Sequence, residues 1–170
     1  KSELIKQALT DLSDVATIYY ECRQTSEADN LESLSALAAE ALSFPPLAFT
    51  GIRELIEFLF AQAKDKNITL VLDEYPYLRD AVKGLDSILQ TSIDARREDS
   101  RLNIVLCGSY VEIMKSLIEH ESPLYGRIDL ALELKPMDYF DAAKFYPAFS
   151  PEDKVRLYSV FGGIPFYNRL

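Results

Sequence analysis

Residues 68–78 read Ile-Thr-Leu-Val-Leu-Asp-Glu-Tyr-Pro-Tyr-Leu, and this run constrains the fold more than any other part of the chain. Apolar and β-branched residues lead without interruption into two adjacent carboxylates, Asp73 and Glu74, and Pro76 then forbids continuation as an interior strand. Acid therefore stands where a buried strand should end. In open α/β sheets ligands sit at the carboxyl ends of the strands, so a paired acid there is well placed for a metal and a water. A strand that simply stops in a solvated acidic turn reads the same way.

The rest of the chain alternates strands with helices. Lys1 and Ser2 open a helix at once, with apolar residues at 4, 5, 8, 9 and 12. Residues 16–22 form a short strand by their β-branched and aromatic content, and residues 23–30 a polar loop. Apolar stripes at three- and four-residue spacing predict helices over 31–42 and 51–63, whose leucines and phenylalanines belong to the core. One helix is expected over 78–95, weakened by Gly84.

Residues 102–107, Leu-Asn-Ile-Val-Leu-Cys, form a second nearly continuous apolar run, which suits a parallel strand covered on both faces. A helix follows from Val111, then a loop at 122–127. Residues 129–134 alternate apolar and acidic side chains and read as an edge strand. Asp138 caps a helix reaching Tyr146, Ser150-Pro151-Glu152-Asp153 opens another to Phe161, and Gly162-Gly163-Ile164-Pro165 stops it. Alternation followed by helices alone predicts a parallel α/β sheet and then a helical segment, with a boundary between Pro136 and Pro151.

Charge and composition remove several function classes. A net charge of -9 argues against a general nucleic-acid surface, because phosphate binding needs clustered cations. Arg96, Arg97 and Arg101 are interleaved with Glu98 and Asp99 and read as a solvated helix end. His120, the single histidine, lies between Glu119 and Glu121 near a helix end and reads as exposed. Cys22 and Cys107 lack metal spacing, so both are expected reduced and buried, with neither disulfide nor zinc. No apolar run reaches the roughly 18 residues of a membrane span, and a cytoplasmic location is the default.

Three polar clusters fall where strands end or loops return: Asp73 with Glu74, Gly108 with Ser109, and the loop carrying Arg127. Strand ends of a parallel sheet share one edge, so these clusters can converge on a phosphate. Asp73 would then hold Mg²⁺, largely through water, and Glu74 would polarise the water attacking a γ-phosphate. Ser109 would orient that water or contact phosphate, and Arg127 would neutralise charge developing in the transition state. The plainer alternatives are a turn pair at Gly108-Ser109 and a surface ion pair of Arg127 with an exposed acid such as Asp129.

The series Leu-Val-Leu-Asp-Glu-Tyr-Pro-Tyr-Leu (70–78), Leu-Cys-Gly-Ser-Tyr (106–110), Ser-Pro-Leu-Tyr-Gly-Arg (122–127) and Gly-Gly-Ile-Pro-Phe-Tyr (162–167) resembles the prokaryotic AAA-type ATPases known as archaeal ATPases. These are P-loop NTPases related to the STAND group, and the resemblance covers nearly the whole chain. It implies a three-layer α/β P-loop NTPase core with a parallel sheet over residues 1–146, and the start of a helical lid over 147–170. It implies ATP and Mg²⁺ as ligands, with self-association or a protein partner, and with nucleic acid contacted only through domains outside this sequence.

By the same resemblance, Lys1 and Ser2 are the last two residues of Walker A, with Lys1 on the β- and γ-phosphates and the Ser2 hydroxyl on Mg²⁺. Asp73 is the metal residue and Glu74 the catalytic base of Walker B. Ser109 falls at the sensor position, Arg127 matches the arginine of the Tyr-Gly-Arg loop, and Pro165 matches the proline that in STAND relatives lies near the adenine.

The sequence departs from the family pattern in lacking the first strand and the glycine loop whose backbone N–H groups form the anion nest. The expectation is a fragment of a longer ATPase, cut just inside Walker A, whose sheet wants a further strand beside residues 102–107. A non-hydrolysing nucleotide switch or protein-interaction module, and a metal-dependent phosphohydrolase or nuclease, are the alternatives.

Overall fold

In the computed structural model, which describes residues 1–169, the chain divides into two compact units, one from Lys1 to Ala131 and one from Leu132 onward. The first unit is built on a parallel sheet of three strands, β1 (Ala16–Glu21), β2 (Ile68–Asp73) and β3 (Leu102–Leu106), in the order β1-β2-β3. The fold class is α/β, as the alternation of elements predicts. Register runs from Ala16 opposite Ile68 to Glu21 opposite Asp73, and from Ile68 opposite Leu102 to Leu72 opposite Leu106.

Every residue of β2 is buried. Successive side chains of a strand point to opposite faces, so uniform burial means that both faces of the central strand are covered. On β1 the pattern splits: Ile18 and Tyr20 are buried while Tyr19, on the other face, is half-buried.

The helices of this unit follow from local chemistry. Helix α1 (Ser2–Thr10) begins where the sequence pattern places it. Helix α2 (Glu27–Leu42) starts on Ser26, whose hydroxyl accepts from the Asp29 N–H, and ends at Ser43 in the left-handed region. Helix α3 (Ile52–Gln62) has no side-chain donor or acceptor of its own at the cap; Glu27 accepts from the Ile52 N–H at 3.1 Å instead. Leu34, Leu55, Ile56, Leu59, Leu70 and Leu72 from these elements are fully buried in one core.

The single helix expected over 78–95 is two: α4 (Tyr75–Ala81) and α5 (Leu85–Arg96). Gly84 adopts φ 76°, which L side chains rarely reach, and the chain turns there. Pro76 sits in the first turn of α4, where its missing N–H costs nothing, so only Glu74 separates strand from helix. Tyr75 and Asp86 tie the two helices together through a buried hydrogen bond of 2.5 Å, and Arg79 closes on the same carboxylate at 2.8 Å.

After β3 comes the short α6 (Val111–Ser116). The edge strand expected over 129–134 is not formed. Leu130, Leu132 and Leu134 are exposed at 80%, 68% and 49%, and among the described residues no strand pairs with them. Alternation makes a strand only where a free ladder edge meets it.

The second unit holds α7 (Tyr139–Ala142), a 3₁₀ turn (Ala143–Phe145), α8 (Pro151–Phe161) and α9 (Pro165–Asn168). Asp138 and Ser150 cap α7 and α8 as predicted. The glycine pair ends α8 at Gly162 (φ 60°), and Gly163 is there for space: a Cβ would lie 1.8 Å from the Met137 carbonyl oxygen. No helix among the described residues is long and apolar enough to cross a membrane.

Candidate functional site

The carboxyl end of β2 gathers most of the sequence-predicted residues. Asp73, the last residue of the strand, is 3% exposed, and its two oxygens are each met by two donors. Oδ2 accepts from the Ser2 hydroxyl at 2.6 Å and from the Tyr19 hydroxyl. Oδ1 accepts from the Glu74 N–H at 3.0 Å and from the Cys107 thiol. Register explains the set: Glu21 lies opposite Asp73, so Tyr19 shares its face, and Cys107, one residue past the Leu72–Leu106 pair, does too.

Burial alone would raise the Asp73 carboxyl. The donors Cys107, Ser2 and Tyr19, with the Lys1 charge, outweigh it and hold the group at about 2. Asp73 is therefore ionised at neutral pH.

Glu74 is reached by a sharp reversal. Its φ of 52° and ψ of 43° put a non-glycine residue in the left-handed region, a strain on the order of 1–2 kcal/mol of the kind found at functional sites. Its Oε1 takes the Lys1 ammonium at 2.5 Å, and its Oε2 takes both the Ser109 N–H at 3.0 Å and the Ser109 hydroxyl at 2.8 Å. Burial pushes the Glu74 carboxyl up, but the Lys1 and Ser109 donors win and lower it.

Ser109 is carried to this position by Gly108, which packs so closely that a Cβ would stand 2.6 Å from Pro76 Cδ. The Tyr75 N–H donates to the Cys107 carbonyl at 2.8 Å and completes the junction.

Lys1 also lies 3.9 Å from Asp73 Oδ1. One ammonium thus faces two ionised carboxylates, and the set keeps a net negative charge that favours a cation. Ser2 Oγ and the Asp73 carboxylate are hard oxygen donors in contact, chemistry that fits Mg²⁺. Among the described residues no group of three or more His, Cys, Asp and Glu side chains gathers as a metal cage. Two protein oxygens suit an ion that keeps much of its water and shares phosphate oxygens.

Arg127 stands apart from this set. Its guanidinium forks onto Asp94 of α5 with two bonds of 2.7 Å, and it also donates to the Pro123 and Tyr125 carbonyls. The exposed acid Asp129 pairs instead with Arg97, at 3.0 Å. His120 packs against the Tyr125 ring. Pro165 opens α9 in the second unit. Two residues of the Asp73 shell, Tyr19 and Cys107, carry no sequence signal for that role, because only the pairing of the three strands brings them there.

The α/β sheet thus ends its central strand in an acid pair, and a Lys-Ser helix start meets it there. The fold is that of a solved structure, the Walker-type ATPase PABY2304 of Pyrococcus abyssi, with a TM-score of 0.68 at 21% identity over 96% of this chain and 56% of that one. The chain belongs to the family of ATPase domains found predominantly in Archaea, which it matches over residues 1–167. Among curated relatives, the uncharacterized protein MJECL04 of Methanocaldococcus jannaschii is 29% identical over 163 residues, 95% of this chain and 35% of its own length. The uncharacterized protein MJ0424 of the same organism is 32% identical over 59 residues, 35% of this chain and 57% of its own length. The chain thus spans about a third to a little over half the length of the proteins it resembles.

Proposed function

We propose that this domain binds ATP with Mg²⁺ and hydrolyses it, as part of an AAA-type, STAND-related ATPase in the cytoplasm. In this reading residues 1–146 form the nucleotide-binding core and residues 147–170 begin a helical lid. The observation that carries it is the meeting of Lys1, Ser2, Asp73, Glu74 and Ser109 at the carboxyl end of β2, from stretches up to 108 residues apart.

Magnesium, when bound with ATP, neutralises phosphate charge. Ser2 and Asp73 are the side chains that would hold it, the carboxylate through water. Lys1 leaves Glu74 for the β- and γ-phosphates, and its departure uncovers Oε1 for the attacking water. Ser109 keeps its grip on Oε2 and so aims the free oxygen. Glu74 then accepts the water's proton as the new P–O bond forms and the β–γ bridging bond breaks, with ADP leaving. Arg127 would add positive charge to the transition state after release from Asp94, and Pro165 would lie beside the adenine; the family resemblance supports both.

In the full-length protein, Glu74→Gln is expected to bind ATP as the parent does and to hydrolyse it about 10²–10⁴-fold more slowly. Hydrolysis at the parental rate would remove Glu74 as the base. The second reading, a nucleotide switch or interaction module without turnover, is favoured by one observation: both Glu74 oxygens are already engaged. Tight ATP binding by the complete protein with no phosphate release is its signature.

A further inference from the structure

We propose that Tyr19 is a positioning residue for Asp73, its hydroxyl fixing the carboxylate so that Oδ2 faces the Ser2 hydroxyl. The inference rests on the assignment of Ser2 and Asp73 to magnesium. Tyr19 lies opposite Val71, two residues before the Glu21–Asp73 pair, so it approaches Asp73 diagonally across the β1–β2 ladder. With neighbouring strands about 4.8 Å apart and a rise of about 3.3 Å per residue, such neighbours stand roughly 8 Å apart at the backbone, a span a phenol can bridge and a shorter hydroxyl cannot.

The hydroxyl donates to Oδ2, the oxygen that also accepts Ser2 Oγ at 2.6 Å. With Oδ1 held from the opposite side by the Glu74 N–H and Cys107, rotation of the carboxylate would break bonds at both oxygens. The other side of the Tyr19 ring matters as well. Lys6 places its ammonium 5.0 Å from the ring centroid, and Lys6 is one helical turn beyond Ser2 on the same face of α1. Tyr19 thus meets α1 through Lys6 and β2 through Asp73, the same two elements that Ser2 and Asp73 join.

Tyr20 supplies an internal comparison. It faces the other way, is 3% exposed, and gives its hydroxyl to Asn30 Oδ1 at 2.6 Å. Its bond holds the fold and has no line to Asp73.

The test uses the full-length protein, Mn²⁺ as a paramagnetic probe and a non-hydrolysable ATP analogue, with bound and free metal separated by electron paramagnetic resonance. Tyr19→Phe is expected to weaken Mn²⁺ binding by about 10-fold, the usual cost of losing a partner of a metal-side ligand. Tyr20→Phe is expected to lower the thermal midpoint at least as much and to leave Mn²⁺ binding unchanged. A Tyr19→Phe protein that binds Mn²⁺ as tightly as a binding parent overturns the Tyr19 assignment and leaves the ATPase reading standing. A parent that takes up no Mn²⁺ with the analogue overturns both. A Tyr19→Phe protein that unfolds while Tyr20→Phe does not also overturns the assignment, because it makes the hydroxyl a general structural bond.

Discussion

Ser109 holds Glu74 with two donors at once, its backbone N–H at 3.0 Å and its hydroxyl at 2.8 Å, both on Oε2. The pair joins the end of β3 to the end of β2, while the Lys1 ammonium holds the other oxygen, Oε1. A carboxylate restrained at one oxygen is aimed at whatever reaches the other.

Ser109→Ala removes the hydroxyl and keeps the N–H. A hydrogen bond to a charged group is worth about 1.5–3 kcal/mol, so ATP hydrolysis in the full-length protein is expected to fall roughly 10-fold or more. Affinity for ATP should stay close to that of the parent, because in this arrangement Ser109 touches Glu74. A matched loss of affinity and of rate would assign Ser109 to phosphate contact instead.

A second expectation concerns Cys22, which follows β1 and is 3% exposed. Burial, with the nearby Asp73 and Cys107 charges adding to it, pushes its thiol from the ordinary 9.0 to about 12. The folded state therefore favours the neutral thiol. Its stabilising contribution is complete below pH 9 and is lost as pH rises toward 12. At pH 8, iodoacetamide should leave Cys22 unmodified in the native protein and alkylate it in denaturant, as peptide mass spectrometry would read. Between pH 9 and 12 the parent should lose stability more steeply than Cys22→Ala.

Much of this architecture is written in single stretches. The β2 run is apolar or β-branched at every position up to Asp73 and buried throughout, so no solvent face exists for it, and the caps at Asp138 and Ser150 act within three residues. What escaped is non-local. Tyr19 reaches Asp73 across 54 positions through strand register, which no periodicity encodes. The alternation of 129–134 specifies a strand only in company, and Arg127 found Asp94 on α5 rather than Asp129, two residues away. The break at Gly84 was signalled by the glycine itself, but its severity came from the φ that the turn imposes.

The Arg127–Asp94 fork separates a structural arginine from a catalytic one. Asp94 is about half exposed, so water and salt screen the pair and it should contribute little to folding. On that account Asp94→Asn and Arg127→Ala should lower stability by similar, small amounts in denaturant titrations. Their effects on hydrolysis should diverge. If Arg127 neutralises transition-state charge, Arg127→Ala loses about 10³-fold or more in kcat, as arginines of this role do. Asp94→Asn, which only loosens the arginine from its tether, should keep the parental rate or exceed it. Equal, modest losses in both variants would place Arg127 with the loop it holds together through the Pro123 and Tyr125 carbonyls, and outside the chemistry.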